Sequence, residues 1–338
     1  MPARRTQKTD DVRLRILNRL HNGFYQPGDR FLSNRDVSEL FGVSYQTAHR
    51  LIAELCEEGV LERRPQSGTY VPGGPRKLAG AQLVFAGRAQ HAESFGAKLL
   101  AQLARRLELE RIDFTLATDD QPPALAIDRV PIIWEVPGAV EKSIERRQAA
   151  VLINDRPRVG LESLFVDSVS TDDYAGGACA AQVLQSHTRA RDGFAIVAGP
   201  ADDVRSRQRV EGFLSVLPAT VVSAGSWFYE AGCRVAGHAL ADARAGIFCC
   251  NDQLARAVLD HARENSLVPP PLVGFDDAPI AETLNLTTIA IPWDELIDGV
   301  VRVVKRRLAG DRATSSHQVF NPRPIIRGFD SKSVSTSP

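Results

Sequence analysis

The sequence is poor in the residues that build special scaffolds. Its five cysteines, Cys56, Cys179, Cys233, Cys249 and Cys250, form no C-x-x-C pair and stand at no zinc-like spacing from histidine. That excludes a disulfide-stapled module and a zinc finger, and reads the cysteines as small buried apolar residues of a reducing compartment. There is no apolar run of roughly eighteen residues or more, so no membrane span is expected. Met1 to Asp11 are polar and basic with no apolar stretch behind them, unlike a secretory leader, so the expectation is a cytoplasmic protein. Nothing matches a serine triad, a phosphate loop or a metal-ligand spacing, so no catalytic residue, metal or cofactor is expected. Neither sign of charge is in excess, with 41 Lys+Arg against 41 Asp+Glu. That balance is uneven along the chain. Residues 1–80 carry 13 basic and 9 acidic residues, and the rest carries 28 and 32. A polyanionic partner is therefore expected for the first part only.

What is present is ordinary globular material: 43% hydrophobic and 24% charged residues over 338 positions, enough for two domains. The stretch 72–80, beginning Pro72-Gly73-Gly74-Pro75, lacks periodicity and reads as a linker. Before it, Val12, Ile16, Leu17 and Leu20 fall on one helical face. Pro27-Gly28-Asp29 makes a turn. Ser33 and Ser44 are N-caps for helices Asn34–Phe41 and from about 45 to 58. Residues 60–64 and 68–71 read as two short strands around Pro65-Gln66-Ser67. After the linker, apolar runs alternate with amphipathic helical patterns. The runs are 83–86, 112–117, 130–134, 150–153, 165–169, 194–198, 245–250 and 272–275. That alternation predicts an α/β fold of parallel sheets with helices on both faces, in two lobes.

Helix, turn, helix and hairpin together make a winged helix-turn-helix. The segment PGDRFLSNRDVSELFGVSYQTAHRLIAELCEEGVLERRPQSGTYV resembles the gluconate-repressor (GntR) family of bacterial regulators over residues 8–71. A recognition helix presents its first turns to base edges in the major groove. Here those side chains are Ser44, Tyr45, Gln46, Thr47, His49 and Arg50. Gln46 suits adenine and Arg50 guanine. The resemblance adds Arg35 as a phosphate contact and Gln66, Ser67, Gly68 and Thr69 as a wing tip. Tyr45 and His49 stand where family members usually carry arginine.

In the second half, SVSTDDYAGGACAAQVL, IVAGPADDVRSRQRVEGF, IFCCNDQLARAVLD and LVGFDDAPIAETLNLTTIAIPW resemble the lactose/galactose-repressor sensor. That domain has the type I periplasmic-binding-protein fold, and the fused arrangement is similar to arabinose-repressor-like regulators. The resemblance covers about 81–330. It implies two lobes, 81–169 plus 292–312 and 170–291 plus 313–330, followed by a disordered tail, 331–338. It also implies an effector site of Asn154, Arg207, Trp227, Asn251, Asp276 and Trp293 for a small molecule, a sugar in the first instance. Asp172 and Asp252 are expected as helix caps and Asp277 behind the site. After Thr118, two prolines leave no room for the helix that the family usually supplies, so the first lobe is expected to be trimmed.

The expectation is a repressor that binds a pseudo-palindromic double-stranded operator as a homodimer, with no membrane partner and no catalytic step. The alternatives are the same architecture sensing a nucleoside, purine or phosphorylated metabolite, or a constitutive DNA-binding protein with a non-functional pocket.

Overall fold

The computed structural model describes residues 3–21, 24–25, 28–72, 78–91, 94–118, 124–146, 148–155, 166–188, 193–243, 245–311 and 315–328. The tail 331–338, the middle of the 72–80 linker and the two prolines after Thr118 lie outside them.

The first unit contains α1 (Ala3–His21), α2 (Asn34–Phe41), α3 (Tyr45–Glu57) and the antiparallel hairpin β1 (Glu62–Arg64) and β2 (Gly68–Tyr70). Its core is the set the helical periodicity selects: Val12, Ile16 and Leu17 from α1, Val37 from α2, and Ala48, Leu51, Ile52 and Leu55 from α3. Local chemistry sets the helix ends. Ser33 and Asp36 form a reciprocal capping box on α2. Gly42, at φ +61°, ends that helix in the left-handed region. Ser44 then caps α3 by accepting from the Thr47 amide.

The second unit holds two six-stranded sheets among the described residues. The first runs in the order β13 (His317–Phe320), β7 (Val166–Thr171), β6 (Ala150–Ile153), β5 (Arg129–Trp134), β3 (Gly80–Phe85) and β4 (Phe114–Thr118), all parallel. Helices α4 (Phe95–Leu109), α5 (Pro137–Glu145) and α11 (Trp293–Leu308) cover it. The second runs β14 (Arg323–Ile325), β12 (Thr287–Ala290), β11 (Leu272–Asp276), β10 (Gly246–Cys249), β8 (Phe194–Ala198) and β9 (Ala219–Ser223). Only β14 is antiparallel there. Its helices are α6 (Asp173–His187), α7 (Val204–Leu214), α8 (Tyr229–Asp242), α9 (Asp252–Glu264) and α10 (Pro279–Thr283). Buried strands such as Ala150–Ile153 and Phe194–Ala198 are apolar throughout because helices cover both faces.

Each predicted apolar run falls on a strand. The division between lobes differs from expectation at one place. Residues 317–320, expected in the second lobe, pair with β7 and belong to the first. His317 and Ser168 bond across that ladder, and Asp167 receives Ser316, Arg306 and Arg307 beside it. The chain therefore re-enters the first sheet after α11 and crosses to the second only at Asn321-Pro322. As expected, the described residues 124–128 between β4 and β5 carry no helix.

Candidate functional site

Parallel strands put ligands at their carboxyl ends, where the following loops and helix starts can converge. The two sheets meet there across a cavity of about 460 Å³. Arg88, Phe95 and Trp134 line it from the first lobe. Trp227, Tyr229, Asn251, Arg256 and Asp276 line it from the second.

The second-lobe wall depends on a tight helix crossing. A Cβ on Gly177 of α6 would stand 2.0 Å from the Arg209 carbonyl oxygen, and one on Gly212 of α7 would stand 2.0 Å from that of Tyr174. Only hydrogen side chains allow the two backbones this approach. The crossing places Arg209, 3% exposed, against Asp276, which lines the cavity. Its guanidinium donates to Asp173 at 2.7 Å, to the Cys250 carbonyl at 2.5 Å and to Asp276 at 3.2 Å, and it lies 3.6 Å from the centre of the Phe275 ring. Burial raises the Asp276 carboxyl, Arg209 pulls it down and Asp173 raises it again, leaving it at about 6. Asp276 and Asp277 also hold positive φ, 103° and 52°, a conformation unusual for non-glycine residues that tends to cluster at binding sites.

A second charged chain crosses the cleft. Arg205 meets Asp203 at 2.7 Å and, from the other lobe, Glu135 at 2.6 Å. Glu135 also takes Arg88, whose guanidinium lies 4.8 Å over the Trp134 ring. Trp227 donates its Nε1–H to Asp203 at 2.9 Å and lies flat on Gly199, where a Cβ would come within 2.7 Å of the ring. Burial raises the Asp203 carboxyl, but Arg205 and the indole N–H outweigh it and hold it well below the usual range. Lys98 reaches across as well, donating to the Asp277 carbonyl at 2.6 Å with its ammonium 4.6 Å over the Trp293 ring.

Of the expected effector residues, Trp227, Asn251 and Asp276 line the cavity. Asn251 caps α9 through the Leu254 amide and donates to the Trp227 carbonyl. Arg207 does not reach the cavity. It is exposed and, among the described residues, bonds the carbonyls of Ala201 and Asp202. Positions 205 and 209 are one helical turn apart and share a face, whereas 207 points the opposite way. Sequence reading chose the middle arginine of R-S-R-Q-R; the period of four between the outer two was the available signal. Trp293 is buried and does not line the cavity; its ring is tilted against Phe95 at 4.9 Å. Asn154 is buried at the end of β6, its Oδ1 without a hydrogen-bond partner among the described residues, and does not line the cavity. Asp172 caps α6 as expected, but Asp252 does not cap a helix. It is buried against Thr288 and the Ala278 amide.

On the first unit, Tyr45, Gln46, His49 and Arg50 stand exposed along α3, and Arg35 is exposed on α2. Arg35 and Arg50 pair with Glu39 and Glu54 on their own helices, at 3.1 and 3.6 Å, contacts that cost little to exchange. Ser44 and Thr47 bond each other at 2.9 Å in the cap. At the wing, Gln66 (φ 56°) and Gly68 (φ 121°) make the turn, and Ser67 bonds Tyr70. Thr69 differs from expectation. It is 7% exposed, facing inward, while its carbonyl accepts from Phe31. In a short strand alternate side chains take opposite faces, so Thr69 cannot share the outer face of its neighbours. Arg30, which sequence reading passed over, joins Ser33, Asn34, Arg63 and Gln66 around a groove of about 310 Å³ between α2 and the wing.

Residues 8–71 match the family described as bacterial regulatory proteins, gntR family, and residues 187–328 match the periplasmic binding protein-like domain. The HTH-type transcriptional regulator reg1 of Streptomyces lividans is 27% identical over 177 residues, which are 47% of this chain and 51% of that protein. The chain thus spans about half the length of the curated relatives it matches. Among solved structures, a transcriptional regulator CelR–cellobiose complex superposes with TM-score 0.61 at 18% identity, covering 87% of this chain and 94% of that one. A LacI family regulator from Enterococcus faecalis with bound ribose superposes with TM-score 0.62 at 21% identity, covering 74% and 98%. Residues 8–71 are thus similar to the gntR family of bacterial regulatory proteins, and the second unit has the fold of LacI-type regulators.

Proposed function

We propose that this chain is a cytoplasmic, homodimeric transcriptional repressor whose affinity for a pseudo-palindromic operator is set by a sugar in the cleft. One observation carries the reading: a helix that exposes Tyr45, Gln46, His49 and Arg50 shares a chain with an aromatic-walled cavity lined by Asp276, which a buried arginine holds. Charged and amide groups give directional bonds to hydroxyls, and aromatic faces cover the C–H side of a ring. The division into 8–71, 72–80 and 81–330 belongs to the same proposal, with 317–320 in the first lobe. Arg35, Ser44, Tyr45, Gln46, Thr47, His49 and Arg50, with wing residues Gln66, Ser67 and Gly68, face the operator. Arg209, Asp276, Asn251 and Trp227 hold the effector, with Trp293 and Asn154 behind them.

The cleft performs no chemistry in this reading. Binding across two lobes favours the closed arrangement and shifts the population away from the DNA-competent one. The homodimer is supported by apolar side chains left on the edge strands of both sheets, Leu116 of β4 and Val221 of β9, 51% and 43% exposed. A phosphorylated or acidic effector is disfavoured because the cleft arginines Arg88, Arg205, Arg209 and Arg256 each already face a carboxylate.

Selection of bound sites from random duplex DNA, followed by anisotropy titration, tests the DNA half. An inverted repeat is expected, and Arg50→Ala should weaken the selected site by about tenfold or more while changing non-specific binding far less. A selected site without dyad symmetry, or equal losses on both DNAs, sinks the assignment. Addition of sugar should change operator affinity.

A further inference from the structure

We propose that the groove between the entry to α2 and the wing seats a phosphodiester of the operator backbone, with Arg30 and Arg63 as its cationic walls; this rests on the operator reading above and deepens it. The lining sets the charge of the occupant. Arg30, Arg63 and Arg64 all line this groove of about 310 Å³, and among the described residues no Asp or Glu does. The other polar groups there, Ser33, Asn34 and Gln66, are neutral hydrogen-bonding side chains.

The three arginines are not equivalent. Arg64 is committed: it lies 4.4 Å from the centre of the Tyr70 ring and meets Glu62 at 3.4 Å. Arg30 and Arg63 are exposed and form no ion pair among the described residues. Asp36, on the first turn of α2, accepts instead from the Ser33 amide at 2.9 Å in the capping box. In the sensor cleft, by contrast, Arg88, Arg205 and Arg209 each meet a carboxylate. Two unmatched cations on one groove make a local positive field that favours an anion.

Arg30 is also held in place. A Cβ on Gly68 would stand 3.2 Å from the Arg30 Nε, so the guanidinium occupies the space over the wing where a side chain would lie. The Arg30 backbone bridges to Tyr70 of β2, and the next amide, of Phe31, donates to the Thr69 carbonyl at 2.8 Å. Arg63 stands across the ladder from Thr69, which lines the same groove, and cross-strand partners share a face. The position suits a DNA strand. A helix in the major groove and a wing in the neighbouring minor groove straddle the sugar–phosphate strand between them, and the helix before the recognition helix crosses that backbone. The gap between α2 and the wing is where the strand passes. A planar guanidinium grips a phosphate through two parallel N–H bonds.

The test is anisotropy titration of the full-length protein on its selected operator and on a random duplex of equal length, from about 50 to about 200 mM salt. Arg30→Ala is expected to weaken both duplexes by the same factor, about tenfold, and to reduce the slope of log affinity against log salt by about one. Arg63→Ala should do the same, and Arg30→Lys, which keeps the charge, should keep the slope. All three should melt at the wild-type temperature. An unchanged slope in Arg30→Ala, with or without a lowered melting temperature, overturns the seat and leaves Arg30 a structural role. A loss confined to the operator overturns it too, because a phosphate contact carries no sequence preference. Calorimetric binding of inorganic phosphate that Arg30→Ala abolishes, with the DNA slope unchanged, assigns the groove to a free phosphorylated molecule and overturns the operator as its source. If the wild type binds neither duplex, the operator reading falls, and this inference with it.

Discussion

Arg209 and Asp276 set the character of the cleft through mutual dependence. Two carboxylates, Asp173 and Asp276, are buried against one guanidinium, so removing the cation leaves charge without compensation. Arg209→Ala should cost about 3–5 kcal/mol of stability in urea unfolding and abolish effector binding. Arg207→Ala, two residues away on the outer face, should leave both within error; loss of binding in that variant would contradict the placement of the site. The raised Asp276 pKa gives a signed pH effect. A sugar hydroxyl donates best to the ionised carboxylate. Ionisation is half complete at the folded value of about 6, nearly complete about one unit above it and lost below it. Effector affinity should therefore be nearly flat above about pH 7 and fall by up to about tenfold per unit well below about 6. Asp276→Asn should bind weakly at every pH, with no such slope. At this scale the sequence showed which residue types converge but not which of three neighbouring arginines turns inward. Arg207 and Thr69 were both misplaced for that reason: the facing of a helix or strand depends on what it packs against.

Among the elements, the capping signals were the most legible. Ser33 and Ser44 bound their helices where the sequence placed them, because a cap is satisfied by groups within three or four residues. The crossing of α6 and α7 was not legible, since it depends on two glycines 35 positions apart meeting each other's backbone. Gly177→Ala puts a methyl group into the Arg209 carbonyl, so the helices must separate and carry Arg209 away from Asp276. That variant should lose about 1–3 kcal/mol in thermal or urea melts and weaken the effector more than its stability loss explains. A variant of wild-type stability and affinity would show that the crossing has slack. Strands β9, β12, β13 and β14 escaped sequence reading because they are short and, at the sheet edges, partly polar.

Across the whole molecule, the two lobes are tied together without a ligand. Glu135 joins Arg205, and Lys98 joins the Asp277 carbonyl, each bridging first lobe to second. Burial lowers the Lys98 ammonium and the charges of Asp277, Asp252 and Asp276 oppose that shift, so the strut lies in a partly desolvated, charge-rich setting. Glu135→Gln should let the sugar-free cleft open, seen as a larger radius of gyration in X-ray scattering that the effector reverses. An unchanged radius would mean that the Lys98 contact or the chain crossings, rather than the ion pair, hold the lobes together.

The sequence by itself determined the winged helix with its core and caps and the parallel α/β second unit, while the resemblance of its motifs supplied Trp227, Asn251 and Asp276. These follow from periodicity, local capping and motif order, which are short-range properties. Tertiary structure alone decided the working face of α7, the inward turn of Thr69, the membership of β13 in the first sheet, and the Arg88–Glu135–Arg205 chain across the cleft. Each of those depends on contacts between segments tens to hundreds of residues apart, whose geometry is set only when the sheets and helices pack.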